Sequence, residues 1–288
     1  MKHFLFKGYK VSYLDEGAGE PLVFLHNGGN DHHIWDYQIA HFSKTHRVIA
    51  TDHLGYGESD KPEVEYTLPL FTEMVGALVD EIQLAPVTLI GHCIGGAMAI
   101  NYAKERPDKV SRIVAFNVAT EKTLLAGPLA QAYLDLSRSR EAREQFCAAL
   151  EAQPLPRAET DKGLLSQYGE APPDDAEFAE YIHELYNRPG QMRSLYNNLS
   201  NFASFAALDE FVKPAGFPPL LLFWGEANQI LPVAAGAALR ERLQPDRAEV
   251  FAGCGHLLMR ERPEAINRKI ETFLGRQHAP RSYVEAVP

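Results

Sequence analysis

Short apolar runs rich in β-branched residues alternate with helical patterns along the first 116 residues of the chain. Alternation of this kind, with strand-length runs separated by 3.6-period segments, is typical of parallel βαβ units. The sequence therefore predicts an α/β fold with a mostly parallel central sheet flanked by helices. The predicted strands are Phe4–Phe6, Lys10–Tyr13, Pro21–His26, Arg47–Asp52, Val87–His92 and Val110–Phe116, with helices around Trp35 to Phe42, over Leu70–Ile82 and over Ile94–Glu105.

The alternation stops after residue 118 and resumes near residue 213. The segment between shows only helical stretches separated by Pro and Gly clusters. Strand Pro219–Trp224, helix Val233–Leu243, strand Ala248–Ala252 and helix Pro263–Leu274 follow. We therefore predict a core built from residues 1–118 and 213–276, a helical cap over residues 119–212, and a loose tail over 277–288. A cap inserted after a parallel strand is expected to cover the sheet edge where active sites of α/β proteins lie.

Charge and composition narrow the range of partners. The 288-residue chain has a formal net charge of -10 and only three cysteines. An acidic surface repels nucleic acid and anionic lipid, so neither is expected as a partner. There is no signal-peptide pattern, no apolar run of membrane-spanning length, and no disulfide or zinc spacing. The chain is predicted to be cytoplasmic, to carry free thiols, and to need no cofactor or metal.

The strongest local motif is Gly91-His92-Cys93-Ile94-Gly95-Gly96, between a predicted strand and a helix rich in small residues. It has the form G-x-S-x-G of a nucleophile elbow, with cysteine in the serine position. The glycines are needed because the backbones pass closely in the strained strand-to-helix turn. A thiol at a helix N-terminus beside an imidazolium is expected to have a lowered pKa. A tight turn with a merely buried cysteine is the alternative interpretation.

Four separated motifs resemble the capped α/β-hydrolase superfamily, which includes haloalkane dehalogenases, epoxide hydrolases and C–C bond hydrolases. They are Leu25–Gly29, Thr51–Pro62 with the form D-x-x-G-x-G-x-S-x-x-P, the elbow at Gly91–Gly96, and Gly253–His256. Their order and spacing span nearly the whole chain. The resemblance implies an α/β-hydrolase fold with a cap and an active site beneath it.

The resemblance also implies roles for individual residues. Cys93 is the nucleophile and His256 the general base that takes its proton. The backbone N–H groups of Gly28 and Ile94 form the oxyanion hole. Asn27 stands where the family usually has glycine, a small departure because Asn tolerates left-handed backbone.

The third triad position departs further. Trp224–Pro232 matches the family segment W-G-x-x-D-x-x-x-P, but the acid position holds Asn228. In a serine protease the corresponding Asp-to-Asn change lowers turnover by about 10⁴. A cysteine enzyme is less affected if its thiolate–imidazolium pair forms before substrate binds. Asn228 is then predicted to orient the ring, its side-chain oxygen accepting from His256 Nδ1–H as in papain-like Cys-His-Asn proteases.

Three alternatives remain at these positions. Glu226 lies two residues before Asn228 and could serve as the acid, and Asn117 occupies an alternative acid position known in relatives. Cys93 could also be an engineered replacement for serine, made to trap an acyl-enzyme.

Other features are given structural interpretations. Asp31 and the loop histidines (His26, His32 and His33) could suggest a metal site, but no H-x-x-x-H spacing is present and adjacent His32 and His33 are expected to diverge. Cys254 is interpreted as a core residue, with a redox role alongside Cys93 as the alternative. Aromatic and amide residues of the cap are expected to contribute some pocket residues (Tyr181, Tyr186, Tyr196, Asn197, Asn198, Asn201, Phe202 and Phe205).

Together these features predict a Cys-dependent acyl-transfer enzyme that works through an acyl-cysteine thioester. The substrate is expected to be a small-molecule acyl compound such as a thioester, discharged to water or to a small-molecule acceptor. Dienelactone hydrolases and polyhydroxyalkanoate synthases have similar G-x-C-x-G-G elbows, although this chain lacks the overall pattern of either. The alternatives are a lyase or C–C hydrolase that uses His256 as a base, and a non-catalytic receptor for a small ligand.

Overall fold

The computed structural model describes residues 1–275, so the predicted tail at 277–288 lies outside the described residues. The centre of the fold is one eight-stranded sheet with strand order β1-β2-β4-β3-β5-β6-β7-β8. Strand β2 pairs antiparallel with β1 and β4, and every later pair is parallel. The predicted mostly parallel α/β sheet is confirmed. The strands are β1 (Lys2–Phe6), β2 (Tyr9–Glu16), β3 (Pro21–Leu25), β4 (Arg47–Thr51), β5 (Val87–His92), β6 (Val110–Phe116), β7 (Leu220–Gly225) and β8 (Arg247–Phe251).

Helices cover both faces of the sheet. Side chains of α2 and α3 pack into one apolar core, while those of α1 and α12 pack into a second core on the opposite face. Residues of a strand alternate between the two cores, as Leu22 and Val23 of β3 do. This double burial explains why the inner strands read as continuous apolar runs. These core helices are α1 (Asp36–Phe42), α2 (Leu68–Ile82), α3 (Ile94–Glu105), α10 (Val233–Leu243), α11 (Leu258–Glu261) and α12 (Pro263–Gly275).

The chain between β6 and β7 is helical in the structure. The cap predicted over residues 119–212 falls within this segment, and its exact extent stays a prediction. It consists of α4 (Glu121–Leu125), α5 (Ala130–Arg138), α6 (Arg140–Glu151), α7 (Arg157–Leu165), α8 (Ala176–Tyr186), α9 (Gln191–Ser200) and a 3₁₀ helix (Phe202–Leu208).

The predicted boundaries differ from the observed ones by a few residues at some ends. Strand β2 extends to Glu16, beyond the predicted end at Tyr13, because its second half pairs with β4 after its first half has paired with β1. Residues His26 and Asp52 leave their strands and enter loops at the sheet edge. No helix within residues 1–275 is long and apolar enough to cross a membrane.

Candidate active site

Cys93 lies at a sharp turn between strand β5 and helix α3. Its backbone has φ 55° and ψ −112°, an unusual conformation for a residue with a side chain. A Cβ atom added at Gly91 would lie 2.2 Å from the Gly95 carbonyl oxygen, and one at Gly95 would lie 2.2 Å from the Leu25 carbonyl oxygen. The glycines are therefore required by close backbone approach, which is the reason predicted from the motif.

Two backbone donors converge on the Cys93 sulfur. The backbone N–H groups of Ile94 and Gly28 face Sγ closely enough to lower the pKa of the thiol. The loop that carries Gly28 is fixed by His26, whose Nδ1 bonds to the Asn27 carbonyl at 2.6 Å and whose Nε2 accepts from the backbone N–H of His53 at 2.9 Å. Since Nε2 accepts, Nδ1 carries the proton and His26 is neutral. The two predicted oxyanion donors are thus held beside the predicted nucleophile.

Burial keeps the candidate nucleophile and base uncharged. It raises the pKa of the Cys93 thiol to about 12, and the N–H groups of Ile94 and Gly28 offset this only in part. It lowers the pKa of His256 to about 3. The expected resting thiolate–imidazolium pair is therefore not supported, because desolvation is the largest cause of both pKa shifts.

Asn228 is buried, but its side chain is used differently from the prediction. Its Oδ1 accepts the backbone N–H groups of Ile230 and Leu231, each at 3.0 Å. Within residues 1–275, Asn228 Nδ2 and His256 Nδ1 are both buried without a hydrogen-bond partner. The predicted bond from His256 Nδ1–H to the amide oxygen is absent there, since two backbone donors already occupy that oxygen. The two donors also fix the orientation of the amide.

Neither alternative residue bonds to the ring of His256. Glu226 is exposed and its carboxylate accepts the backbone N–H of Gly253 at 3.2 Å. Asn117 is fully buried, donates through Nδ2 to the His256 carbonyl at 2.8 Å and accepts the N–H of Gly225 at 3.0 Å. Asn117 therefore links strand β7 to the backbone of the loop that carries His256 (residues 252–257), which we call the histidine loop.

Cys93 and His256 line one cavity of about 240 Å³ between the sheet edge and the cap. Among the described residues, no charged side chain lines it. Of the cap residues predicted to contribute, Tyr186, Asn198 and Phe202 do so. The wall has an amide- and hydroxyl-bearing part (Asn27, Ser166, Gln167, Tyr186 and Asn198) and an apolar part (Leu124, Leu129, Met192, Leu195, Leu199, Phe202, Ile230 and Leu231).

Comparison with known proteins decides the family. The family model for the alpha/beta hydrolase fold matches residues 20–263. The chain belongs to the α/β-hydrolase family. It is 24% identical over 287 residues to a cis-3-alkyl-4-alkyloxetan-2-one decarboxylase of Shewanella oneidensis, covering 95% of this chain and 88% of the relative. It is 26% identical to epoxide hydrolase 3 of Xenopus tropicalis, covering 93% and 75%.

Solved structures agree with this assignment. An alpha/beta hydrolase fold protein from Burkholderia ambifaria superposes with a TM-score of 0.76 at 22% identity, covering 93% of this chain and 96% of that one. The predicted superfamily and α/β-hydrolase fold are confirmed, and the protein is an enzyme of this family.

A residue of this hydrolase that sequence reasoning missed is Gln167, just after cap helix α7. Its carbonyl accepts the backbone N–H groups of His256 at 2.6 Å and Leu257 at 3.0 Å. Its side chain lies in the cavity wall, with Nε2 donating to the Tyr186 hydroxyl at 3.3 Å and Oε1 accepting from Asn27 at 3.4 Å. Gln167 therefore joins the histidine loop to the loop that carries Asn27 and Gly28. Nothing in the local sequence marks it, because the link is formed only when the cap folds over the sheet.

The loop at Asp31–His33 differs from the prediction in its geometry. The rings of His32 and His33 lie 4.0 Å apart, so the expected divergence is wrong. One ligand atom from each of these three residues falls within 4.8 Å of the others. Hydrogen bonds engage these groups: His32 Nδ1 bonds to Asp52 at 2.6 Å, His33 Nδ1 bonds to Asp31 at 3.0 Å, and cap residue Tyr181 donates to Asp31. The loop therefore anchors the cap, and none of its three residues lines the cavity.

Cys254 is a core residue. It is buried in the apolar core on the sheet face opposite the one that contains Cys93, and both thiols are free. It shares this core with Leu257 and Met259, which accounts for its burial. The arrangement favours the structural interpretation over a redox pair.

Buried histidines predict loss of stability in mild acid. Burial lowers the pKa of His26, His53, His92 and His256. In the unfolded chain these side chains take up protons below about pH 6.5, whereas the folded protein leaves them neutral. As the pH decreases from about 7.5 to 5.5, each of these four histidines therefore lowers the free energy of unfolding by about 1.4 kcal/mol. Urea unfolding at both pH values measures the change.

His92 offers a matched variant for this measurement. Its ring packs against Trp35 and lies 4.4 Å from the ring of His256. Phenylalanine has a similar shape and cannot take up a proton. His92→Phe should reduce the acid-dependent loss by about 1.4 kcal/mol. An equal loss in both proteins would show that His92 is protonated in the folded state.

Proposed function

We propose that this hydrolase transfers acyl groups through a thioester on Cys93. The observation that carries the proposal is the convergence of the Ile94 and Gly28 N–H groups on Sγ, in a cavity that His256 also lines. Donors that face the sulfur are placed to stabilise the negative oxygen of an acyl group bonded to it. The absence of charged lining residues in the described cavity favours an uncharged acyl compound.

The steps follow from the neutral resting state. Cys93 Sγ attacks the acyl carbon while its proton passes to His256, and the carbonyl oxygen becomes an oxyanion held by Gly28 and Ile94. The oxyanion collapses, the bond to the leaving group breaks, and His256 returns the proton to that group. Water or a second nucleophile then attacks the thioester and gives its proton to His256, and Cys93 recovers it as the thiol.

The cavity favours a small acyl group. Its volume of about 240 Å³ lies just below the range of about 300–1,000 Å³ for drug-sized ligands. Its apolar part suits an alkyl chain, and the amide groups near Asn27 and Gln167 suit a neutral polar substituent. The Shewanella oneidensis relative is named for a dialkyl oxetan-2-one, a four-membered cyclic ester with two alkyl groups. Such activated esters belong with thioesters among the substrates to test.

The test is to trap the intermediate. The protein is incubated with short-chain acyl thioesters, activated aryl esters and β-lactones, and its intact mass is measured after rapid acid quenching. We expect a mass increase equal to the acyl group, mapped to Cys93 by peptide analysis. Cys93→Ala is the matched control and should show no increase, while His256→Ala should acylate more slowly.

Two other outcomes would replace the proposal. Turnover that survives Cys93→Ala but not His256→Ala would indicate a lyase or C–C hydrolase in which His256 alone acts as the base. Ligand binding unchanged by Cys93→Ala, without turnover of any substrate, would indicate a receptor. Discharge of a trapped thioester by amines, alcohols or thiols faster than by water would identify an acyltransferase.

A further inference from the structure

A second cavity of about 310 Å³ lies in the cap beside the one that contains Cys93. The two cavities share two wall residues, Tyr186 of helix α8 and Met192 of helix α9. The outer wall is otherwise formed by the end of α6 and by the loops before α7 and α9, including Leu150, Leu155 and Pro189. We call the cavity that contains Cys93 the inner compartment and this second cavity the outer compartment. Among the described residues, their walls have only Tyr186 and Met192 in common.

The partition is on the side of the cavity that adjoins the histidine loop. Tyr186 accepts a hydrogen bond from Gln167 Nε2 at 3.3 Å, and the Gln167 carbonyl accepts the backbone N–H of His256 at 2.6 Å. In the proposed reaction His256 has to reach the leaving atom in order to protonate it. The leaving group, rather than the acyl chain, is therefore expected to extend towards Tyr186 and Met192.

The lining of the outer compartment suits an uncharged, extended leaving group. Its two charged lining residues are already paired, Glu151 with Arg193 at 2.5 Å and Arg188 with Glu58 at 2.7 Å. The Asn187 amide is also engaged, since it accepts from the backbone N–H of Leu155 at 2.6 Å and donates to that residue's carbonyl. The other described lining residues are uncharged: Leu150, Gln153, Pro154, Leu155, Tyr186, Pro189 and Met192.

Met192 is suited to a movable partition. Its unbranched side chain has several rotatable bonds and is only partly buried. Helix α9 begins directly after Gly190, whose φ of 80° places it in the left-handed region. A rotamer change at Met192 would connect the two spaces without movement of a helix.

We propose that the outer compartment binds the leaving-group arm of an extended acyl donor, with Tyr186 and Met192 as the partition that the arm crosses. The proposal rests on the acyl-cysteine function above. With a thioester donor, the Cys93 S–C bond forms, the donor C–S bond breaks, and the departing sulfur takes the proton from His256. The arm in the outer compartment supplies binding energy away from the reacting atoms, and such energy raises kcat/KM.

The experiment compares two donors that carry the same acyl group and the same reacting bond. One is the thioester of N-acetylcysteamine, which ends just beyond its first amide, and the other is the thioester of pantetheine, which has a longer uncharged amide arm. Acylation of Cys93 is followed by mass spectrometry under single-turnover conditions. The wild-type protein should react with the pantetheine ester at least about tenfold more efficiently.

Filling the outer compartment should remove this preference. Leu155→Trp places a large side chain there, and we expect the ratio of the two efficiencies to fall below about threefold. Pro154→Trp, at an exposed position of the same wall, is a second variant should the first not fold. Leu165→Trp is the matched control: Leu165 is exposed on α7 and lines neither cavity, so its ratio should equal that of the wild type.

The outcomes separate the two proposals. If neither thioester acylates Cys93, the acyl-cysteine function fails. If both acylate it with equal efficiency, or if the preference for the long arm survives both outer-compartment variants, the function stands and the outer binding site is refuted.

Discussion

Replacing Cys93 with serine is expected to lower kcat by about 10⁴, close to the loss that follows an Asp-to-Asn change in a serine triad. A serine hydroxyl is a much weaker acid than a cysteine thiol, so its deprotonation needs a stronger base. His256 cannot supply one, because burial lowers its pKa to about 3 and no carboxylate bonds to its ring within the described residues. The measurement is steady-state hydrolysis of whichever ester acylates the wild type.

A second change should restore the serine enzyme. In Asn228→Asp one carboxylate oxygen keeps the bonds from the Ile230 and Leu231 N–H groups. The other oxygen replaces Nδ2, an amide group that lacks a hydrogen-bond partner within residues 1–275. A negative charge there raises the pKa of His256 and favours its Nδ1–H tautomer. Cys93→Ser/Asn228→Asp should therefore regain at least about 10² of the lost turnover.

The double-mutant cycle tests whether the two departures from the family pattern are linked. Asn228→Asp alone should change the cysteine enzyme by much less than it changes the serine variant, because the thiol is the stronger acid. The pH dependence of kcat/KM should show the raised His256 pKa in both proteins that carry Asn228→Asp. Equal effects of Asn228→Asp in the two backgrounds would show that the residues act independently, and a Cys93→Ser variant with full activity would remove the chemical reason for cysteine.

The central sheet and the elbow were predictable because their causes are local. Strands β5 and β6 occur at the predicted residues, since continuous apolar runs report burial directly. The elbow was predictable for a similar reason: only glycine tolerates the 2.2 Å approaches at positions 91 and 95. The glycine spacing of the motif therefore predicts the turn.

Features that depend on distant contacts were not predictable. The sequence places Asn228 at the acid position but does not reveal that two backbone N–H groups occupy its oxygen. Motif position likewise suggested an ionised Cys93–His256 pair, whereas the cap and core together bury both groups and keep them neutral. The role of Gln167 arises only when a cap loop contacts the histidine loop, 89 residues further along the chain. In each case the deciding contact joins segments whose approach no local pattern encodes.

Removing one oxyanion donor should lower kcat by about 10²–10³. Ile94 is the first residue of helix α3, where the backbone N–H makes no bond within the helix and proline is well tolerated. Its N–H faces Cys93 Sγ and lowers the pKa of the thiol. Ile94→Pro therefore deletes the donor at a helix position that accepts proline. Ile94→Ala is the matched control, because it also shortens the buried side chain but retains the N–H.

Gly28 allows the same test from the opposite side of the hole. Its φ lies outside the left-handed region. The nearest contact of an added Cβ would be the flexible tip of Leu195 at 3.3 Å, with Asn198 Oδ1 and Tyr56 Oη at 3.8 Å, so Gly28→Ala should remain active. Gly28→Pro removes the N–H and should lower kcat by about 10²–10³ relative to that control. Because both donors hold the same oxygen, the losses from Ile94→Pro and Gly28→Pro should not be additive. If each proline variant, folded as judged by circular dichroism, matches its alanine control, the negative charge does not develop between Gly28 and Ile94, and Cys93 does not attack a carbonyl in this orientation.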